Sequence, residues 1–196
     1  MSEDVVAVAQ KLLGKVLVTN FAGGVTAGRI VETEAYAGVV DKASHAHKGR
    51  TRRTAVLFDT TGTAYIYLCY GLHQMFNMVT GPAGVAHAVL VRAVAPLTGE
   101  ATMALRTGKK LGDVSMTRGP GNVGKAFGFH VAHSGTSLLG NEIFVADDGF
   151  DPLPENMQVS PRIGVGYAAE HALWPYRFFL ANSIYVSGRR SRQTKK

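Results

Sequence analysis

The chain has 196 residues, of which 46% are hydrophobic and 18% are charged, and these proportions exclude a disordered chain. The single cysteine, Cys69, excludes a disulfide framework and any metal site built on several thiolates. The formal net charge is +7, but five of the positive charges lie in residues 189–196. We therefore expect one domain over residues 1–188, followed by a basic, disordered tail over residues 189–196.

The first half of the chain predicts one short helix and then a series of strands. Asp4 is a candidate N-cap for a helix over residues 5–13, and Gly14 would end that helix. The following segments are rich in β-branched and aromatic residues, which is typical of strands. The connections between them are short and contain glycine, which favours antiparallel pairing. The predicted strands cover residues 15–19, 25–36, 64–70, 75–79 and 88–94.

The second half predicts helices over residues 99–106 and 122–127 and strands over residues 142–146 and 178–180. The predicted fold class is therefore α+β, a single domain around a mainly antiparallel sheet. Nothing in the sequence resembles a secretory signal or a membrane span, so we expect a soluble, intracellular protein with no membrane partner.

The predicted strand over residues 25–36 contains two carboxylates, Glu32 and Glu34, on one face. Burying both is costly, because each needs a partner and like charges raise the pKa of one of them. Two interpretations stay open. Either the carboxylates are functional, or they pair with arginines such as Arg92 or Arg162 at a sheet edge.

Two histidines alternate in the loop that follows, at His45 and His47. Together with Glu32 and Glu34 they are compatible with a zinc or iron site, because imidazole and carboxylate suit these metals. A pair of histidines is more often a hydrogen-bonding feature than a pair of ligands. A metal-dependent hydrolase is therefore the second hypothesis.

Tyr70 immediately precedes Gly71, at the predicted tip of a hairpin. An aromatic side chain at such a tip has little core to pack against, so it is a candidate wedge for a base stack. The alternative is that the tyrosines of this segment are ordinary core aromatics.

A dense basic cluster follows the histidines and has no apolar periodicity, so we expect a surface loop that binds phosphate. Its members are Lys48, Arg50, Arg52 and Arg53.

Residues 119–126 have the spacing of a nucleotide phosphate loop, but Ala126 stands where magnesium would need Ser or Thr, and no apolar strand precedes them. We therefore do not expect a nucleoside triphosphatase. A helix that begins near Asn122 would still offer backbone amides and Lys125 to a phosphate.

Six motifs, in this order and over nearly the whole domain, resemble the bacterial form of the alkyladenine (3-methyladenine) DNA glycosylase family. They are residues 28–36 (GRIVETEAY), His45, residues 65–77 (YIYLCYG to Asn77), residues 91–93 (VRA), residues 118–121 (RGPG) and residues 162–166 (RIGVG).

The resemblance implies a curved sheet from which a protruding β-hairpin enters the DNA minor groove. It implies that Glu34 is the general base for water, and that Arg92 and the backbone near Val165 hold this water. A second set of residues would line the base pocket, and a third would contact DNA. The pocket residues are Tyr36, His45, Tyr67 and Asn77; the DNA contacts are Tyr70, Gly71, Arg50, Arg52, Arg53 and Lys125.

The implied function is a monofunctional glycosylase of base excision repair, which flips and excises alkylated or deaminated purines and leaves an abasic site. The implied substrates are 3-methyladenine, 7-methylguanine, hypoxanthine and ethenoadenine in double-stranded DNA. No metal or other cofactor, and no obligatory protein partner, is expected for this monomer on the bacterial nucleoid. The third hypothesis is a non-catalytic module that binds lesions.

Overall fold

A computed structural model describes residues 4–188, so the predicted basic tail lies outside the described residues. Within these residues, three α-helices and one eight-stranded sheet form the domain. The helices are α1 (Val5–Lys11), α2 (Glu100–Thr107) and α3 (Pro120–Phe127). The strands are β1 (Val16–Phe21), β2 (Gly24–Ala37), β3 (Thr63–Cys69), β4 (His73–Val79), β5 (His87–Thr98), β6 (Ile143–Ala146), β7 (Met157–Ser160) and β8 (Arg177–Leu180).

Every strand pairing in the sheet is antiparallel, as the short connections predicted. The strands β3, β4, β5, β2, β1 and β6 follow one another across it, and β8 pairs with both β2 and β7. The central strand, β2, pairs with β5 on one side and with β1 and then β8 on the other. Glu32 and Glu34 therefore lie inside the sheet, and the expectation of a sheet edge was wrong.

The two faces of β2 have different chemistry. Val31 and Ala35 belong to the main hydrophobic core, and the Thr33 hydroxyl donates to the carbonyl of Ala9 in α1 at 2.9 Å. The predicted cap of α1 is confirmed, because the Asp4 carboxylate accepts from the amide of Val6 at 3.2 Å. Because Val31, Thr33 and Ala35 face the core, the even-numbered side chains from Glu32 onward point to the opposite face of the sheet.

The glycines of α3 explain the misleading phosphate-loop spacing. A Cβ on Gly124 would lie 1.8 Å from the carbonyl oxygen of Gln74, and one on Gly121 would lie 2.7 Å from the ring of His73. The glycines thus allow α3 to pack directly on β4.

The helix begins at Pro120, two residues before the predicted start. Lys125 lies in the last turn of this helix, and its Nζ donates to the carbonyl of Thr107 at 3.4 Å.

The remaining predicted elements are present with small shifts at their ends, apart from β5, which extends four residues further. Strand β7 was not predicted, since its four residues are flanked by Asn156 and Pro161 and include no long apolar run. Short 3₁₀ helices also cover His45–Lys48 and Gly166–Leu173, which both border the cleft described below. Among residues 4–188, no helix has the length and apolarity that crossing a bilayer requires.

Candidate active site

A cleft of about 920 Å³ opens where the end of β2, the β3–β4 hairpin and the segment after Arg162 meet. A smaller recess adjoins the cleft, and Tyr36, His45 and Tyr67 line both. Most residues that the sequence assigned to catalysis and base binding therefore lie around one cavity.

Glu34 lies directly behind the wall of this cleft, with a relative exposure of 0%. Its Oε1 accepts from the backbone amide of Ile163 at 2.7 Å, and its Oε2 accepts from the Tyr36 hydroxyl at 2.8 Å. The same Oε2 lies 3.1 Å from Nη1 of Arg92. All three partners line the cleft, and Oε1 keeps a lone pair for one more donor.

Arg92 bridges the two glutamates, because its Nε also donates to Oε1 of Glu32 at 3.0 Å. Burial lowers the pKa of Arg92, but Glu34 and Glu32 outweigh that effect and raise the pKa above its usual value. The predicted arginine pairing is thus confirmed for Arg92. It is wrong for Arg162, whose guanidinium contacts Asp41 instead.

Glu32 is bound by donors on every side. Its Oε1 accepts from Nε of Arg177 at 2.7 Å and from the Ser187 hydroxyl at 2.9 Å, and its Oε2 accepts from the Ser187 amide at 2.7 Å. With Arg92, four donors serve two oxygens, three of them at Oε1, and of these partners only Arg92 lines the cleft, so Glu32 does not adjoin it as Glu34 does.

A buried ion pair between Asp41 and Arg162 holds two segments of the cleft together. The carboxylate of Asp41 accepts from Nη2 of Arg162 at 2.9 Å and from the amide of Ala43 at 2.9 Å. Ala43 lies two residues before His45 in the chain. Burial raises the pKa of Asp41, but the Arg162 hydrogen bond and the Ala43 amide outweigh it and lower the pKa. The pair fixes the 162–165 segment, and with it the amide of Ile163.

The recess is built mainly from aromatic rings. The ring centroids of His45 and Tyr67 lie 4.4 Å apart in an edge arrangement, and those of Tyr65 and Tyr67 lie 5.6 Å apart. Burial raises the pKa of Tyr67, and burial followed by Glu34 raises that of Tyr36, so both phenols stay neutral. Asn77 lines the recess and donates through Nδ2 to the carbonyl of Tyr65 at 3.2 Å.

Tyr70 occupies the tip of the β3–β4 hairpin with 91% of its surface exposed, whereas Tyr65 is buried. The interpretation as core aromatics therefore holds for Tyr65 and fails for Tyr70. Both Tyr70 and Gly71 have positive φ, at 50° and 71°, and such a conformation is uncommon for a tyrosine.

The other predicted site residues lie at several distances from the recess. Val165 lines the cleft, and its carbonyl accepts from the amide of Ala168 at 2.9 Å. Arg50 is exposed and lies 3.6 Å from Asp59, and Arg52 is exposed in the same loop. Arg53 differs from both, because it contacts His45 in the recess.

The four proposed metal ligands are not brought together. Glu32 binds arginines, Nδ1 of His45 lies 3.0 Å from the Tyr65 hydroxyl, and Nδ1 of His47 lies 2.8 Å from the carbonyl of Val39. In the described part of the chain, no three His, Cys, Asp or Glu side chains are grouped as metal ligands.

Comparisons with known proteins agree on one family. A family model described as methylpurine-DNA glycosylase matches residues 1–184. A protein of Anaeromyxobacter dehalogenans (strain 2CP-C) is 44% identical over 188 residues, which are 95% of this chain and 83% of that protein. A protein of Chlamydia abortus is 41% identical over 182 residues, with 92% and 94% covered. Both relatives are named "Putative 3-methyladenine DNA glycosylase".

Proposed function

The chain belongs to the methylpurine-DNA glycosylase family, and on this premise we propose that it is a 3-methyladenine DNA glycosylase, which hydrolyses the N-glycosidic bond of damaged purines. The proposal rests on one observation above all. Glu34 is a buried carboxylate behind the cleft wall, with Arg92 and the Ile163 amide as partners and one acceptor position to spare.

This geometry supports a role for Glu34 in catalysis. Cleavage of an N-glycosidic bond passes through an oxocarbenium-like state, so an anion near the sugar stabilises it. A carboxylate that keeps an acceptor position also takes a proton from the attacking water. Arg92 and the backbone near Val165, two residues that line the cleft, would orient that water.

The finer part of the proposal is base flipping. An enzyme that acts on a base inside a duplex must extrude it, and a damaged base costs less to unstack. The exposed ring of Tyr70 would fill the gap in the duplex. The extruded purine would contact Tyr36, His45 and Tyr67, and Asn77 would test its edge.

The proposed substrates divide by charge. A purine alkylated on a ring nitrogen is cationic, so it leaves without a proton donor and gains roughly 0.5–2 kcal/mol from each tyrosine face that it contacts. Hypoxanthine and ethenoadenine are neutral and need protonation as they leave. We therefore expect 3-methyladenine and 7-methylguanine to be excised faster than the neutral bases.

Double-stranded DNA with a damaged purine is the proposed partner, and the exposed Arg50 and Arg52 would contact its phosphates. For Lys125 a phosphate contact stays a prediction. We also expect a monomer that needs no protein partner and acts on the nucleoid in the cytoplasm.

The test uses duplexes that carry one 7-methylguanine, ethenoadenine or hypoxanthine, followed by alkali and sizing of the strand. We expect cleavage at the lesion in the presence of EDTA and no covalent adduct after borohydride. Activity that EDTA abolishes would favour the metal-dependent hydrolase. Tight binding of lesion duplex with no released base would favour the non-catalytic module.

Tyr70→Ala tests base flipping separately. Without the ring, the gap left by the extruded base is unfilled, and we expect affinity for lesion duplex to fall about tenfold. A fluorescent reporter base at the lesion should also flip less. Leu139→Ala, at another exposed apolar side chain, is the control, and unchanged fluorescence in Tyr70→Ala would contradict the wedge role.

A further inference from the structure

Arg53 belongs to the basic loop by sequence, but its contacts distinguish it from the other arginines there. Its Nη2 lies 3.1 Å from both Nδ1 and Nε2 of His45, and its guanidinium carbon lies 5.6 Å from the centroid of the Tyr67 ring. Thr54 holds the loop in place, because its hydroxyl donates to the carbonyl of Gly49 at 3.1 Å. Arg53 thus lies where the basic loop meets the recess.

The contact restricts the protonation of His45. A guanidinium only donates, so the ring nitrogen that it contacts must act as an acceptor. The Tyr65 hydroxyl lies 3.0 Å from Nδ1. Because Nη2 of Arg53 lies equally close to both ring nitrogens, at least one of them must keep its lone pair, and the contact therefore favours the neutral ring over the imidazolium.

We propose that Arg53 is a positioning residue of the base recess, which holds His45 as a neutral ring against Tyr65 and Tyr67. This inference rests on the proposed function, because a neutral His45 matters only if the recess binds a cationic purine. An imidazolium beside an alkylated purine would repel it, whereas a neutral ring does not. Arg53 is exposed and His45 is not, so solvent screens the guanidinium more than it would screen an imidazolium in the recess.

The surroundings of His45 support this inference. Burial, followed by the charge of Arg53, lowers the pKa of His45 to about 4. No acidic residue within residues 4–188 lines the cleft or the recess, so no carboxylate there opposes this effect. The titratable or charged groups that face His45 or share its cavity are Arg53, Tyr65, Tyr67, Tyr36, Tyr167, Lys42, His47, Lys48, Cys69, Tyr70 and Arg92.

The direct test is an NMR titration of the histidines in the free protein, with the His45 signal assigned from His45→Gln. We expect no titration of His45 above about pH 5 in the wild type, where its pKa is about 4. Arg53→Glu removes one positive charge and adds a negative one, so the pKa should rise by about two units. Arg53→Lys should leave it near the wild-type value. Arg52→Glu makes the same change in net charge on the exposed neighbour and should also leave it unchanged.

The functional test is single-turnover excision of 7-methylguanine at saturating enzyme, from pH 8 to pH 5. The rate of Arg53→Glu divided by that of the wild type should fall about tenfold across this range, because His45 becomes a cation as the pH falls. For Arg53→Lys, the ratio of the variant rate to the wild-type rate should stay constant across this pH range. Arg52→Glu should weaken DNA binding, but its ratio should also not change with pH.

Two results overturn the inference: an unchanged pKa of His45 in Arg53→Glu, or a pH profile identical to that of Arg52→Glu. The second would make Arg53 an ordinary phosphate contact, with a salt dependence reduced by about one ion. If the wild type released no base, the proposed function would fail instead, and the NMR titration would still decide whether Arg53 controls His45.

Discussion

Glu32 and Glu34 stand two residues apart on the same strand, are both fully buried and share Arg92 as a partner, yet their surroundings differ. The other partners of Glu32 are Arg177 and Ser187, which do not line the cleft. All partners of Glu34 do line it. Burial and ion pairing therefore do not distinguish these two carboxylates. The location of the partners does.

The same comparison explains why two carboxylates are tolerated so close together. Arg92 and Arg177 supply two positive charges for two negative ones, so the cluster is neutral overall. Glu32 keeps Arg92 in place through its Nε and leaves Nη1 for Glu34. Glu32 and its partners thus orient Arg92 toward Glu34, which adjoins the cleft.

The largest expected effect is that of Glu34→Gln on excision. The amide keeps the size of the side chain but cannot accept a proton from water, so we expect the single-turnover rate to fall roughly 10²–10⁴-fold. Affinity for lesion duplex should be retained, because the proposed DNA contacts lie elsewhere. The free energy of unfolding should fall by less than about 3 kcal/mol, since Arg92 keeps its buried pairing with Glu32.

Chemical denaturation and excision assays on the same preparation make this measurement. Activity close to that of the wild type would remove Glu34 from the role of general base. A large loss of stability would mean that both glutamates are structural and that the comparison above is wrong.

The next effect in size is that of Glu32→Gln, with the opposite signature. Losing this charge leaves Arg177 buried without a carboxylate, and breaking such a pair costs about 3 kcal/mol. Excision by the folded fraction should stay within about tenfold of the wild type, since Glu34 is untouched. A variant that is stable but inactive would show that Glu32 takes part in the reaction.

The sequence predicted the local part of this site and missed the distant part. Alternation along the strand placed Glu32 and Glu34 on one face, and the short glycine-containing connections gave the antiparallel sheet. The donors from Ile163, Arg177 and Ser187 are 129, 145 and 155 residues away from their glutamates. Such contacts depend on tertiary packing, which neither spacing nor composition reveals.

The basic loop shows the same limit at closer range. Arg50, Arg52 and Arg53 are equivalent by residue type and by spacing, and all three were predicted to bind DNA. Only the folded loop, held by the hydrogen bonds between Thr51 and Thr54, directs Arg53 toward His45. Conversely, the exposure of Tyr70 followed from its neighbour Gly71, because a hairpin tip is a local feature.

The smallest expected effect, that of Ser187→Ala, tests whether the two halves of the cluster act independently. The hydroxyl of Ser187 donates to Glu32 at 2.9 Å and accepts from Nη2 of Arg92 at 3.3 Å. Removing it should lower the free energy of unfolding by about 1.5 kcal/mol, as expected for a hydrogen bond to a charged group. Its backbone amide still binds Glu32, so the excision rate should stay within about twofold of the wild type. An excision rate that falls together with the free energy of unfolding would show that Arg92 transmits changes at Glu32 to Glu34. Ser187 would then contribute to excision as well as to stability.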